Sequence, residues 1–237
     1  YDLEFCGEVN EAYELLGTHL TTSSRKTLTL LGKQYRMVYN VKGELLVSEN
    51  QMQYLLGNIP FAAHLINAYN DSEYSAEYLT PSKKVFKGTN GRSLKGRFRW
   101  AHKKPKENLM MAYGDGYAKV LMWNLKGTAV VYINFTPLSP NKVEFTVKCI
   151  AFPSGAMLNG IMSMGMFKSM VQKKINQIID DVVKAAREYA SGNTKPITKI
   201  KYLKTIEGER WLREWNQILQ ADKNPVNSIA PAKQEAL

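Results

Sequence analysis

The chain predicts an α+β fold in which a curved antiparallel sheet wraps one long C-terminal helix, and three stretches predict it. Residues 157–190 carry apolar side chains at Leu158, Ile161, Met162, Val171, Ile175, Ile178, Ile179, Val182, Val183, Ala186 and Tyr189. That three-and-four spacing puts them on one helical face. Residues 83–151 switch to strand-like alternation, and residues 41–69 read as strand, helix, helix. At about 1.5 Å per residue the long helix would span about 50 Å, which calls for something large and curved along its flank. Met157, Met162, Met164, Met166 and Met170 crowd its first half. Unbranched, polarizable side chains suit an adaptable lining as well as an irregular core.

In chain order, residues 8–20 form an amphipathic segment with Val9, Tyr13 and Leu16 on one side, closed by the hydroxyl run 21–24. Residues 27–47 read as strand, with Lys42-Gly43 a turn or bulge. Ser48 and Gln51 have capping-box spacing, so a helix from Glu49 to about Leu56 is expected next. Gly57-Asn58 ends it, and Pro60 opens a second helix through Tyr69. In residues 94–100 the cations Lys95, Arg97 and Arg99 alternate with Leu94, Gly96, Phe98 and Trp100, giving one wet and one buried face. Leu109 to Tyr113, a Gly114-Asp115-Gly116 turn, and Tyr117 to Leu125 predict a hairpin. A Lys126-Gly127 turn then precedes the strand 128–135. In the strand 142–151, Val143, Phe145, Val147, Cys149 and Ala151 face in. After Ser191-Gly192-Asn193 come a basic connector over 195–204 and an amphipathic helix outlined by Ile206, Trp211, Leu212, Trp215, Ile218 and Leu219. Packing of that helix on the domain is preferred to an interfacial anchor. Three parts result: an N-terminal extension over 1–26, a main domain over 27–191, and a connector, helix and loose tail over 192–237.

Composition narrows the function classes. No run of eighteen apolar residues is available to cross a membrane as a helix. Cys6 and Cys149 are too few for a disulfide scaffold and lack metal-ligand spacing. The net charge is +11, divided between −5 over residues 1–80, from ten acids and five bases, and +16 over the rest, from eleven acids and twenty-seven bases. Such asymmetry points to a basic face for an anionic partner. A start at Tyr1 fits a periplasmic or secreted chain after signal removal, or a shortened cytoplasmic one, and leaves the compartment open.

Strand, two short helices, several antiparallel strands and a long C-terminal helix are the element order of the helix-grip fold. On residues 41–69, the glycine-bounded strands 86–151 and the helix 157–190, the chain resembles a divergent member of the START-like superfamily, which includes Bet v 1-like proteins and polyketide cyclases. The likeness covers residues 28–190 and is one of pattern rather than of a diagnostic motif. It implies a cavity between sheet and helix for a sterol, phospholipid, polyketide or other apolar molecule, with enzymes in only some branches.

The expected ligand contacts on the sheet are Phe98, Trp100, Met111, Leu121, Trp123, Val130, Tyr132, Phe145 and Val147. The long helix would face them with Ile161, Met162 and Met166. A solid core would draw on the same residues. Lys95, Arg97, Arg99, Lys103 and Lys104 form a cationic stripe for anionic surfaces, or simply a solvated sheet face. Nucleic acid is disfavoured as partner because no stacking aromatics are interleaved with the exposed cations. His19, His64 and His102 fall on different elements, and no catalytic pair, phosphate loop, zinc spacing or cofactor motif is present. The expectation is binding and transport of an apolar, lipid-like molecule without a cofactor. A cyclase or aromatase on the same scaffold is the alternative, and a protein-interaction module the third option. Oligomeric state is open.

Overall fold

The computed structural model describes residues 37–120, 123–153 and 165–223. Strand β1 (Met37–Leu45) leads into helices α1 (Glu49–Gly57) and α2 (Ile59–Tyr69). Six strands come next: β2 (Ser75–Tyr78), β3 (Val85–Thr89), β4 (Leu94–Lys104), β5 (Leu109–Val120), β6 (Trp123–Ser139) and β7 (Lys142–Pro153). Helix α3 (Gly165–Ala190), two short 3-10 turns over 195–204, and helix α4 (Ile206–Lys223) complete it. Among the described residues seven strands make one antiparallel sheet in the order β1-β7-β6-β5-β4-β3-β2. Strands β3 to β7 form a meander, and β1 returns beside β7.

The helix boundaries reflect local chemistry. Ser48 caps α1 by accepting the Gln51 backbone N–H at 3.1 Å. The reciprocal arm of a capping box is diverted, because the Gln51 amide donates instead to Asp222 at the end of α4, 3.1 Å away. Ser48 Oγ and Asn50 donate to the same carboxylate at 2.5 and 2.9 Å, tying the last turn of α4 to the first turn of α1. Pro60 occupies the first turn of α2, where a missing N–H costs nothing. Helix α3 ends at Gly192 with φ +93°, a left-handed conformation that glycine adopts without penalty.

The glycine dipeptides expected to be turns are not turns. Lys42-Gly43 lies within β1, Gly114-Asp115-Gly116 within β5 and Lys126-Gly127 within β6. Close backbone approach gives the reason at Gly114: a Cβ there would stand 2.0 Å from the Arg97 carbonyl oxygen and 2.6 Å from the Phe98 Cα. Glycine in a strand interior marks such an approach as readily as it marks a turn. The expected helix over residues 8–20, the strand over 27–36, the start of the long helix over 157–164 and the tail over 225–237 lie outside the described residues.

The core sits on the helix-bearing side. Val41, Leu45, Phe135, Val143 and Phe145 from the sheet meet Leu55, Phe61 and Leu65 from α1 and α2, and Ala185, Ala186 and Tyr189 from α3. Ile197, Leu203, Trp211, Trp215 and Leu219 belong to the same cluster, so the core is continuous from the sheet to α4. Trp215 is fully enclosed, its ring 5.8 Å from both Tyr54 and Phe61. The second helix and the chain just after it also meet α3 through polar links, with Asn70 donating to the Asp181 carbonyl and Tyr74 to its carboxylate.

Candidate functional site

Strand register decides which side chains can reach a ligand. Residues directly opposite across antiparallel strands share a face, so the helix-bearing face can be traced outward from Val41. Val147, Ile133 and Met110 continue that row across β7, β6 and β5. The next rows contain Trp100 with Ala112 and Val131, then Phe98 with Gly114 and Ala129, then Gly96 with Gly116 and Gly127. Of the expected ligand contacts, Phe98, Trp100, Phe145 and Val147 therefore lie on this face. Met111, Val130 and Tyr132 lie on the opposite, outer face, which corrects their expected placement. Both faces of β5 and β6 are apolar here, and a one-residue error in such a strand moves every side chain to the other side. Met110, Val131 and Ile133 take the inward positions. Leu121, Ile161 and Met162 lie outside the described residues, as do the side chains of Trp123 and Met166.

The helix-bearing face has two ends of different character. Towards β1 and β7 it is solid: Val143, Phe135 and Phe145 are enclosed by helical side chains. Towards β3 to β5 Met110 and Ala112 are buried too, but beyond the Phe98 row the side chains give way to glycine. Gly88, Gly96, Gly116 and Gly127 form one transverse row of bare backbone. The Phe98 ring lies back over Gly96, where a Cβ would sit 2.5 Å from its Cε2. Phe98 stacks on Phe86 with centroids 5.7 Å apart, and Trp100 meets the other part of Phe86 at 4.9 Å. Phe86 is buried, but Phe98 and Trp100 are only half-buried, unlike the aromatics of the solid end. The Trp100 Nε1 is enclosed and donates to nothing. A buried donor left in this state costs about 1–3 kcal/mol.

Lys103 stands beside this aromatic shelf rather than on the outer face, a second correction. Residues Trp100 and His102 are opposed to consecutive residues of β5, Ala112 and Met111, so Ala101 is an unpaired bulge. The extra residue reverses the facing of the rest of the strand. Lys103 then points to the helices and donates to the Gly57 carbonyl at 2.9 Å and, more weakly, to the Tyr78 hydroxyl at 3.4 Å. Gly57 O is at the carboxyl end of α1, where the helix dipole favours a cation. The ammonium also lies 5.2 Å from the Tyr78 ring centre and 5.4 Å from that of Trp100. Lys83 approaches the same Tyr78 ring at 5.6 Å. Burial holds the Lys103 pKa below the ordinary lysine range, and the charge of Lys83 adds to that depression. Burial pushes the Tyr78 hydroxyl up to about 12.

On the outer face Lys95, Arg97 and Arg99 are exposed, and none has an ion pair with a described residue. Lys104 is on this side too, paired with Glu107 at 2.7 Å. The expectation that aromatics are absent from this face does not hold. Tyr113 and Tyr117 stand opposite Arg99 and Lys95, and Lys148 lies 5.7 Å from the Tyr132 ring centre. His64 is remote from the shelf, stacked on Tyr202 at 4.5 Å with burial holding its pKa below 6.5. Cys149 is a free thiol on the helix-bearing face, pushed up to about 12 by burial. Among the described residues no group of three His, Cys, Asp or Glu side chains could hold a metal ion.

No family model matches the chain, and no curated protein matches it. Among solved structures it is similar to Ara h 8.0201 at 9% identity and a TM-score of 0.45, over 62% of this chain and 94% of that one. It is also similar to the Zhui aromatase/cyclase from Streptomyces sp. R1128, at 11% identity and 0.46, over 65% and 96%. A third is norcoclaurine synthase from Thalictrum flavum in complex with dopamine and hydroxybenzaldehyde, at 8% and 0.43, over 65% and 87%. The fold is read from the chain's own topology: two helices between β1 and β2, a meander closing back onto β1, and a long helix packed on α2 that shares one core with the same sheet face, which is a helix-grip arrangement.

Proposed function

We propose that the chain binds an apolar small molecule on the helix-bearing face of β3 to β5, and that the molecule is lipid-like and carried rather than transformed. One observation carries this reading. Phe98, lying over Gly96 of the glycine row, and Trp100 beside it on β4 are left half-buried, while the other end of the same face is filled to full burial. Folding hides large aromatics wherever it can, because each buries about 150–250 Å². Leaving two of them partly open beside backbone stripped of side chains provides a surface that an apolar guest can complete. A ligand placed here would exchange water contact for the Phe86, Phe98 and Trp100 rings, at about 25 cal/mol per Å² of apolar area removed from water. The direct test is titration of the protein with 1-pyrenebutanol, read by quenching of tryptophan emission and by native mass spectrometry. Saturable binding that Phe98→Ala and Trp100→Ala weaken at least tenfold supports the proposal. Absence of saturable binding, or equal binding by both variants, refutes it.

A second reading concerns the outer face, where Lys95, Arg97 and Arg99, exposed and without an ion pair to a described residue, favour approach to an anionic membrane surface. Tyrosines interleaved with them suit a boundary that is apolar on one side and wet on the other. Sedimentation with phosphatidylserine vesicles at physiological salt, lost in an Arg97→Glu/Arg99→Glu variant, is the expected result. Retention on single-stranded oligonucleotide but not on vesicles would reassign the face to nucleic acid.

A further inference from the structure

Among the described residues the aromatic shelf ends in positive charge without a paired carboxylate, which bears on what its guest must carry. Lys83 and Lys103 both lie against the Tyr78 ring, and Lys83 is close enough for its charge to disfavour the charged form of Lys103. Neither ammonium makes an ion pair with a described residue. Lys103 spends two of its three donors on Gly57 O and Tyr78 Oη, leaving one. The same ammonium lies 5.4 Å from the Trp100 ring centre. One idle donor, two like charges and three aromatic rings thus share one corner. An ammonium so placed costs free energy unless an anion meets it, since half-burial weakens its hydration and a second cation repels it.

We propose that Lys103, assisted by Lys83, receives the carboxylate of an apolar acid whose hydrocarbon or aromatic body lies on Phe86, Phe98 and Trp100. This rests on the reading that the shelf binds an apolar molecule and adds the chemical class of that molecule. A carboxylate fits the donor set. It accepts from the remaining Lys103 N–H, and a charge-assisted bond of this type is about twice as strong as a neutral one. It also relieves the repulsion between the two lysines. A neutral alcohol of the same shape would keep the ring contacts but leave both charges unmet.

The test compares 1-pyrenebutanoic acid with 1-pyrenebutanol, which share a ring system and chain and differ in the terminal group. Binding of the acid at least tenfold tighter at pH 7 is expected. Lys103→Met should bring the acid down to the affinity that the same variant has for the alcohol, and Lys103→Arg should keep most of the preference. Lys83→Asn, an exposed position at φ +54° that asparagine tolerates, should weaken the acid severalfold and serves as a variant that does not disturb the core. The preference should also shrink as pH is raised and Lys103 loses its proton. Equal affinity of the native protein for acid and alcohol overturns the carboxylate inference while leaving the apolar site standing. A preference that survives both Lys103→Met and Lys83→Asn overturns it too. Failure of either compound to bind overturns the apolar site and the inference with it.

Discussion

Replacing Trp215 with alanine asks whether α4 is part of the core or merely rests on it. Trp215 is 0% exposed, held between Tyr54 and Phe61 with its ring centre 5.8 Å from each. Removing about 200 Å² of buried aromatic surface at about 25 cal/mol per Å² costs about 5 kcal/mol. One term acts in the opposite direction. The Trp215 Nε1 is buried without an acceptor, and deleting such a donor returns about 1–3 kcal/mol. The net expectation is about 3 kcal/mol, the lower end of the usual tryptophan-to-alanine range. That is a large share of a typical domain stability of about 5–15 kcal/mol. For a chain of this size it lowers Tm by about 6–12 °C. Trp215→Phe keeps most of the ring and removes the idle N–H, so it should cost less than about 1.5 kcal/mol. Ile206, on the same helix but 90% exposed, is the control, and Ile206→Ser should move stability by less than about 0.5 kcal/mol. Urea unfolding monitored by circular dichroism measures all three, with an unchanged m-value showing that the same cooperative unit is melting. A Trp215→Ala cost below about 1 kcal/mol would refute the reasoning, because it would mean that α4 leaves the sheet without disturbing it.

Three further expectations rest on particular contacts. Asp222→Ala removes the acceptor shared by Ser48, Asn50 and Gln51 and leaves the buried Ser48 and Gln51 side chains short of a partner. It should cost about 1–3 kcal/mol in urea unfolding, and an unchanged midpoint would show that water replaces the carboxylate freely. Gly114→Ala drives a methyl to 2.0 Å from the Arg97 carbonyl, so it should destabilise by at least about 1–3 kcal/mol and slow or prevent native folding. A native-like melt for that variant would contradict the close approach of β4 and β5. His64, held below 6.5 by burial, takes up a proton in the unfolded chain before it does in the folded one. Stability is therefore full above about pH 6.5 and declines as pH falls through that value towards the folded pKa. His64→Gln should flatten this part of the pH–stability curve; an identical slope in the variant would assign the decline to other groups.

Most of the architecture is legible in the residues because the relevant signals are local. The Ser48–Gln51 spacing, Pro60, Gly192 and the alternation of cations with Leu94, Gly96, Phe98 and Trp100 each report on a few neighbouring backbone units. The same locality explains why the glycine dipeptides mislead. Gly114 looks like a turn residue in its own neighbourhood, yet what requires it is the Arg97 carbonyl on another strand. No property of residues 109–125 taken alone contains that information.

The site is less legible than the fold for a related reason. On β4 and β7 one face is charged, so alternation identifies Phe98, Trp100, Phe145 and Val147 as inward. On β5 and β6 the runs Leu109-Met110-Met111 and Ala129-Val130-Val131-Tyr132 are apolar on both faces, and the period-2 signal vanishes. Only pairing with β4 and β7 selects Met110 and Val131 over Met111 and Tyr132. Lys103 is the extreme case, since its position in a cationic run assigns it to solvent, and the single unpaired Ala101 turns it to the helices. A bulge leaves almost no mark in composition, because any residue can be the extra one. The side chain on which the proposed recognition of an acid rests is thus the one that a pattern of alternating charges would set aside. Its visible sign is the arrangement around it: a lysine turned onto the Gly57 carbonyl and the Tyr78 ring, with no ion pair to a described residue.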